Sequence, residues 1–243
     1  MSIATDVNVP VLEVDRIEIG YSSSSILHDV SVICRRGQVT TIIGPNGCGK
    51  STLLKAIIGF LRPRKGHIRL LGEDISKESP QALLRKGVSL VPQVRSVFPQ
   101  MSVEENLLLG GTIERDQRLV RERMQEIYSL FPRLAERRGK RAAMLSGGEQ
   151  RLLELGRALI LKPQLLLLDE PSAMLAPSVL VELFAKIRAI ADSGTAILLV
   201  EQNISKAFEI SDMVFVLDYG ANFINGTPQQ CTANPAIAQL FLG

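Results

Sequence analysis

The chain has 243 residues, 46% of them hydrophobic and 22% charged, which suffices for one elaborated α/β domain or two small domains. The net charge of +3 is too small to demand a nucleic acid or an acidic membrane as partner. No apolar run approaches the roughly 20 residues that span a bilayer, and the N-terminus lacks the basic-then-apolar pattern of a secretory signal. The three cysteines lack metal-type spacing and favour a reducing cytoplasm without structural disulfides.

Strand-like and helix-like apolar patterns alternate along the chain, as in a sheet flanked by helices. Residues 11–21 and 30–44 are predicted strands, the second running without a break into a glycine turn. A helix is predicted to begin at Lys50. Residues 66–75 should form an edge strand and a turn, and residues 87–93 a buried strand that ends at a proline.

The segment from Phe98 to Met144 has helical patterning and no strand pattern. Ser102 and Glu105 form a Ser-x-x-Glu capping box at one helix start, and a longer amphipathic helix follows. The side chains predicted to face inward from that helix are Leu119, Met124, Ile127, Tyr128 and Phe131. We therefore expect a helical subdomain at residues 94–144, inserted into a single domain that spans residues 1–243.

A leucine-patterned helix returns to the main domain after this insertion, with Leu152, Leu155 and Leu159 on one stripe. Three apolar strands then follow in QLLLLDEP, TAILLVEQ and DMVFVLD, and the first two resemble strands buried in a mostly parallel sheet. The predicted fold class is α/β, with a mostly parallel sheet, an antiparallel β edge and the inserted helical subdomain.

A phosphate-binding motif lies at residues 44–52, where GPNGCGKST matches G-x-x-x-x-G-K-[ST] between a strand and a helix. Its glycines let successive backbone N–H groups point at phosphate oxygens. Lys50 would reach the β- and γ-phosphates, and Ser51 would hold Mg²⁺. Cys48 lies beside a helix N-terminus and should ionise more easily than a free thiol. The predicted ATP-binding residues of this loop are Gly44, Pro45, Asn46, Gly47, Cys48, Gly49, Lys50, Ser51 and Thr52.

Two adjacent acids end the apolar strand LLLLDE. Burying such a pair requires a compensating cation. We expect Asp169 to hold the Mg²⁺ shell and Glu170 to act as the general base on the attacking water, a role worth roughly 10²–10⁴ in rate. The alternative is a pair of surface acids at a strand end.

A second helix start suited to an anion lies at residues 145–151, LSGGEQR. Together with the phosphate loop and the acid pair, it resembles the signature of the ATP-binding cassette (ABC) subunits of ABC transporters, over essentially the whole chain. The resemblance implies a phosphate-loop NTPase with a RecA-like core and a β subdomain in residues 1–93 and 145–243. It also implies that two cassettes pair head to tail, and that the ATP of a second ABC subunit is contacted by Ser146, Gly147 and Gly148.

Other residues gain roles from the same resemblance. Gln93 lies where the family has a glutamine that senses the γ-phosphate and Mg²⁺ while contacting the membrane subunit. Tyr21 matches the aromatic residue that stacks on adenine, with simple packing on the sheet as the alternative. Gln202 lies where most cassettes have a catalytic histidine; an amide can bond phosphate without carrying charge, and a purely structural amide is the alternative. Ala176 lies where the loop after Glu170 usually carries aspartate.

Four stretches resemble one branch of the family, the cassettes of branched-chain amino acid importers and of their relatives for urea and amides. They are VFPQMSVEENLLLG, DEPSAMLAPSVL, LLVEQN and ANPAIAQLFLG. This resemblance implies membrane permease subunits, a second ABC subunit that is a copy or a paralogue, and indirectly a soluble substrate-binding protein. The expected location is peripheral, on the cytoplasmic face of the membrane. An exporter cassette is the main rival, because its ATPase parts would be alike.

Other interpretations have less support in the sequence. The basic run RLAERRGKR at residues 133–141 lacks interleaved aromatics and is typical of a solvated helix end, so we expect no nucleic-acid partner. A DNA-repair or chromosome-organising ABC ATPase would need a long heptad insertion between Lys50 and Ser146, and no sustained heptads are present there. A ribosome-associated ABC factor would carry two sets of motifs in one chain, whereas this sequence has one set.

Overall fold

A computed structural model describes residues 9–21 and 24–242. Four strands form an antiparallel sheet in the order β2-β1-β4-β5. These strands are β1 (Leu12–Tyr21), β2 (Ser24–Cys34), β4 (Lys65–Leu70) and β5 (Glu73–Asp74).

A second sheet of six strands has the order β10-β9-β3-β8-β7-β6. All its neighbouring strands are parallel except β9 and β10. The strands are β3 (Val39–Ile43), β6 (Val88–Val91), β7 (Leu165–Asp169), β8 (Ala196–Val200), β9 (Met213–Asp218) and β10 (Ala221–Gly226). The predicted α/β fold, with a mostly parallel sheet and antiparallel strands beside it, is confirmed.

Ten helices and a short 3₁₀ turn (Ala142–Met144) lie between and after these strands in the described part of the chain. The helices are α1 (Lys50–Ile57), α2 (Pro80–Arg85), α3 (Val103–Gly110), α4 (Gln117–Leu130), α5 (Pro132–Glu136), α6 (Gly147–Leu159), α7 (Pro177–Asp192), α8 (Ile204–Ile210), α9 (Pro228–Thr232) and α10 (Pro235–Leu242). Within residues 9–21 and 24–242, no helix has both the length and the apolar character required to cross a bilayer.

Alternate residues of β7 pack into two different cores. Leu165 and Leu167 belong to a core shared with β1, β2 and α1, whereas Leu166 and Leu168 belong to a core shared with α3, α4 and α6. Because strand side chains alternate between faces, one buried leucine run serves both layers. The helices between residues 94 and 144 therefore pack onto the same core as the main sheet.

Two details of the predicted elements are wrong. The apolar run at residues 30–44 is divided between β2 and β3, which lie in different sheets, because a turn at residues 36–37 breaks it. Gly37 has φ 74°, which favours glycine, and the Gln38 N–H donates to the Arg35 carbonyl at 3.2 Å. In α4, Val120 rather than Leu119 is buried with the other predicted inward residues.

Candidate active site

The candidate site lies at the carboxyl ends of β3, β7 and β8. The Glu170 N–H donates to the Val200 carbonyl at 2.9 Å, and the Glu201 N–H donates to the Ile42 carbonyl at 3.2 Å. These bonds continue the parallel pairing just past the strand ends. The phosphate loop, the acid pair and Gln202 are therefore brought to one edge of the sheet, where ligands of open α/β sheets bind.

The phosphate loop ends at Gly49, which precedes α1 with a left-handed backbone of φ 105°. A Cβ atom at this position would lie 2.4 Å from Leu27 Cδ2, so only glycine fits both the backbone and the space. No side chain caps the first turn of α1. Its N–H groups remain available to an anion at the positive end of the helix.

Lys50 is placed at the centre of this loop. Its side chain is only 5% exposed, and Nζ donates to the carbonyls of Gly44 at 2.8 Å and of Pro45 at 3.0 Å. These bonds hold the loop curled around the ammonium group. The compact charge is thus buried beside the backbone that would receive phosphate oxygens.

Ser51 and Asp169 bring two side-chain oxygen atoms together beside the phosphate loop. The Ser51 hydroxyl hydrogen-bonds to the Asp169 side chain, whose Oδ1 is buried without a hydrogen-bond partner. Burial and the neighbouring Glu170 charge raise the pKa of Asp169, whereas Lys50 and Ser51 lower it. An unsatisfied buried carboxylate oxygen beside a hydroxyl is what a hard divalent cation would complete. The residues present therefore fit Mg²⁺.

Glu170 is held between two amides. Gln93 Nε2 donates to its Oε2 at 2.7 Å, and Gln202 Nε2 donates to its Oε1 at 2.7 Å. The residue is 8% exposed and has a left-handed φ of 46°, a conformation that is uncommon outside glycine and strained. The two predicted glutamines are thus brought onto the predicted base, with the Gln93 amide oxygen left as the atom that could hold a cation.

The expectation that Cys48 ionises readily is wrong. The side chain is 4% exposed and packed against Gly44, where an added Cβ would lie 2.7 Å from its sulfur. Burial raises the pKa of the Cys48 thiol, although Lys50 opposes this effect. Desolvation of the thiolate therefore outweighs the helix N-terminus and the nearby positive charge.

The turn at residues 145–148, called the signature turn below, leads into α6 and contains a complete capping box. The Ser146 hydroxyl accepts from the Glu149 N–H at 3.3 Å, and Glu149 Oε2 accepts from the Ser146 N–H at 2.8 Å. Glu149 also pairs with Arg137 at 3.1 Å, which balances its charge near the helix start. Ser146 is exposed, and its hydroxyl keeps a proton that it can donate to an anion.

The two signature glycines allow close approach from both sides. A Cβ at Gly147 would lie 2.6 Å from Arg95 Nη2, and one at Gly148 would lie 2.5 Å from Val179 Cγ1. Arg95 Nη1 donates to Gln150 at 3.1 Å, which fixes a guanidinium beside the turn. Within the described part of the chain, Ser146, Gly147 and Gly148 lie against Glu149, Arg95 and Val179 rather than against the phosphate loop. Arg95 was missed because nothing in its own sequence context marks it.

A buried ion pair joins α6 to the loop that carries Gln93. Arg151 donates to the carbonyls of Pro92 at 2.8 Å and of Gln93 at 2.9 Å, and it pairs with Glu154 at 2.9 Å. Glu154 in turn accepts from the Ser96 N–H. The sequence offers one signal for this ion pair, because two residues of opposite charge lie three positions apart inside a leucine-patterned helix. This pair fixes the backbone of Gln93.

Three of the remaining predicted ATP-binding residues lie at the tip of the phosphate loop or in the first turn of α1. Asn46 and Gly47 form the exposed tip of the phosphate loop, and Thr52 lies half-buried in the first turn of α1. Tyr21 is the last residue of β1, but its side chain lies outside the described part of the structure.

A family model described as ABC transporter matches residues 27–173. The chain is 40% identical to the high-affinity branched-chain amino acid transport ATP-binding protein BraG of Pseudomonas aeruginosa, over 96% of this chain and 100% of that protein. It is 34% identical to the lipopolysaccharide export system ATP-binding protein LptB of Acidithiobacillus ferridurans, over 92% of each chain.

The solved structures to which this chain is similar are also ATP-binding cassettes of ABC transporters. An ATP-binding cassette of an ABC transporter in its ADP conformation superposes with a TM-score of 0.89 at 27% identity, over 97% of this chain and 100% of that chain. A nucleotide-free cassette superposes with a TM-score of 0.86 at 27% identity, over 96% and 99% of the two chains.

Proposed function

The chain belongs to the ABC transporter family, whose ATP-binding subunits couple ATP hydrolysis to transport, and we propose that it powers the import of branched-chain amino acids or of a related small polar solute such as urea or an amide. The observation that carries this proposal is the 40% identity to BraG over the full length of that protein. The 34% identity to LptB favours export as the second candidate.

We infer that Glu170 takes the proton of the water that attacks the γ-phosphate. Each of its carboxylate oxygens accepts one amide proton, from Gln93 or from Gln202, and retains a lone pair for the water. The two amides orient the carboxylate without adding charge. Lys50 would stabilise the negative charge that develops on the transferred phosphoryl group.

Mg²⁺ is the expected second cofactor beside ATP. Ser51, Asp169 and Gln93 are the residues that would hold it, since they supply a hydroxyl, an unsatisfied carboxylate oxygen and an amide oxygen. Bound there, the ion would neutralise charge on the β- and γ-phosphates.

We propose that the exposed signature turn serves ATP held by a second ABC subunit, which is a copy of this chain or a paralogue. The Ser146 hydroxyl, the backbone of Gly147 and Gly148 and the positive end of α6 are suited to a γ-phosphate. The Arg95 guanidinium beside Gly147 adds positive charge at the same place. The phosphate loop of that second subunit would hold the β- and γ-phosphates of the same ATP.

We propose that residues 94–144 form a helical subdomain that contacts the membrane permease subunits. A groove of about 610 Å³ lies between this segment, β6 and α6, and it carries the exposed side chains of Phe60 and Phe98. Arg157 also lines the groove, and its buried Nη1 has no hydrogen-bond partner. A permease segment with apolar side chains and one acceptor would satisfy both features.

The remaining partners follow from import. A soluble substrate-binding protein would deliver the solute to the permeases on the far side of the membrane and would not touch this chain. The chain itself would lie peripherally on the cytoplasmic face, held there through the permeases.

Reconstitution tests the proposed function. The permease subunits that co-purify with the tagged chain are placed in liposomes with ATP on the side of this chain, and uptake of leucine, isoleucine, valine, urea and a short amide is measured. We expect ATP-dependent accumulation of one of these classes, and none with Glu170→Gln. Outward movement of a lipid or another solute, with no uptake of these five, would contradict import.

The permease contact has a matched pair of variants. Phe98→Ser should reduce co-purification of the permeases, because Phe98 is 50% exposed in the groove. Phe223→Ser changes a phenylalanine of β10 that is 44% exposed and lies outside the groove, and it should leave co-purification unchanged. Equal recovery of the permeases with both variants would exclude the groove as their contact.

A further inference from the structure

Glu201, the residue directly after β8, has a side chain enclosed by hydrogen-bond donors. It is 1% exposed. Its Oε1 accepts from the Ser172 N–H at 3.0 Å, and its Oε2 accepts from the Ser172 hydroxyl at 2.7 Å. Oε2 also accepts from the backbone N–H groups of Gln202 at 3.0 Å and Asn203 at 3.3 Å. Burial raises the pKa of Glu201, while these four donors lower it and favour the charged form.

These contacts join the two loops that meet at the candidate base. The loop after β7 carries Glu170 and Ser172, and the loop after β8 carries Glu201 and Gln202. The Glu201 carboxylate reaches across to Ser172, and the Gln202 amide reaches back to Glu170 at 2.7 Å. Two side-chain hydrogen bonds therefore join the loops, one from the Ser172 hydroxyl to Glu201 and one from the Gln202 amide to Glu170.

We propose that Glu201 is a positioning residue for ATP hydrolysis, which ties the loop of Ser172 to the loop of Gln202 so that the Gln202 amide rests on Glu170. The inference rests on the proposed roles of Glu170 and Gln202. Glu201 is too enclosed to meet the nucleotide itself, and so it acts through these two residues. Misplacement of a catalytic group by about 1 Å can cost about 100-fold in rate.

The charge of Glu201 is required because all four partners are donors. In Glu201→Gln one carboxylate oxygen becomes an NH₂ group, which then faces an N–H or O–H donor and cannot accept its bond. With the NH₂ group at the Oε1 position the Ser172 N–H is opposed, and with it at the Oε2 position the N–H groups of Gln202 and Asn203 are opposed, while the volume of the side chain is almost unchanged. Ser172→Ala is the milder perturbation, because it removes only the hydroxyl donor.

The test measures kcat, KM and ATP affinity of the full chain for Glu201→Gln, Ser172→Ala, Gln202→Ala and the double variant Glu201→Gln/Gln202→Ala. Glu209→Gln is the matched control, since Glu209 is an exposed residue of α8 paired with Lys206. We expect kcat to fall about 100-fold in Glu201→Gln, and less in Ser172→Ala, with KM and ATP affinity almost unchanged. The double variant should be no more than about threefold slower than the slower single variant, because both changes remove one function.

The outcomes separate this inference from the proposed function. If Gln202→Ala is slow while Glu201→Gln and Ser172→Ala turn over like the wild type, the inference about Glu201 is wrong and the role of Gln202 stands. Losses that multiply in the double variant, or a loss in ATP affinity that accounts for the slower rate, would also overturn it. Should Glu201→Gln fail to fold, Ser172→Ala and its combination with Gln202→Ala decide the same question. A wild-type rate for Gln202→Ala would overturn the role of Gln202 and, with it, this inference.

Discussion

A side chain that caps the N-terminus of α7 should stabilise the chain, because the present N-cap residue makes no side-chain hydrogen bond. Ala176 holds the N-cap position with φ −67° and ψ 149°, the extended conformation of a capping residue, but it makes no side-chain cap bond. Its carbonyl already accepts from the N–H groups of Val179 at 2.9 Å and Leu180 at 3.1 Å. An aspartate here would accept from the Ser178 or Val179 N–H, and Ala176 is exposed, so the new side chain has room.

The expected gain in the free energy of unfolding has two contributions, the capping hydrogen bond and the charge at the helix start. Replacing alanine by a capping residue is worth about 0.5–2 kcal/mol, typically about 1, and a negative charge at a helix start adds about 0.3–1 kcal/mol. For a chain of this size, about 1 kcal/mol raises Tm by about 2–4 °C. We expect Ala176→Asp to raise Tm by at least this amount and to stabilise more than Ala176→Asn, which caps without charge.

Thermal unfolding followed by circular dichroism measures this effect, with Ala176→Val as a control that cannot cap. A Tm for Ala176→Asp equal to or below that of Ala176→Val would refute the reasoning. Such a result would mean that the N–H groups in the first turn of α7 are already satisfied.

Three further predictions concern the nucleotide site. Glu170→Gln should retain ATP binding and lose about 10²–10⁴ in turnover, measured by phosphate release; wild-type turnover would exclude Glu170 as the base. Because burial raises the pKa of Cys48, its mapped labelling by maleimide should be slower than that of free cysteine at neutral pH, should accelerate as pH rises and should slow with bound ATP; faster labelling would contradict this. Gly148→Ala should destabilise by about 1–3 kcal/mol in chemical denaturation, because the added Cβ meets Val179 at 2.5 Å; Val179→Ala should restore the loss, and failure to do so would locate the clash elsewhere.

The nucleotide-binding elements could be predicted from the sequence because each is local. The phosphate loop and the acid pair need only a strand end, a tight turn and a helix start, and these are adjacent in the chain. The capping box at Ser102 and the helix start at Ser146 are likewise local, and the structure contains both. The predicted strands QLLLLDE and TAILLVE are buried in the parallel sheet for the same reason.

The remainder depended on contacts between distant segments. The acidity of Cys48 is set by its packing against Gly44 and by burial, which a helix start does not reveal. The division of residues 30–44 between two sheets follows from a turn at Gly37 inside a continuous β-rich run. Glu201 had a usable signal, because it ends the apolar strand TAILLVE as Asp169 and Glu170 end LLLLDE, but its partner Ser172 is 29 residues away.

We propose that each ATP lies between the phosphate loop of one subunit and the signature turn of another. Lys50→Ala and Ser146→Arg damage opposite halves of such a site, so either variant alone has two broken sites in a pair. The Glu170→Gln form, which should accumulate as an ATP-bound pair, establishes by size whether the chain pairs with itself or with a paralogue. The two lesions are then placed on the two chains of that pair.

Mixing the two inactive variants with subunit exchange is the most direct measurement. A mixed pair carries both lesions in one site and leaves the other with an intact Lys50 facing an intact Ser146. We expect the mixed pair to show ATPase activity above that of both parents. Activity that stays at the level of the parents, with exchange demonstrated by labelled subunits, would contradict it.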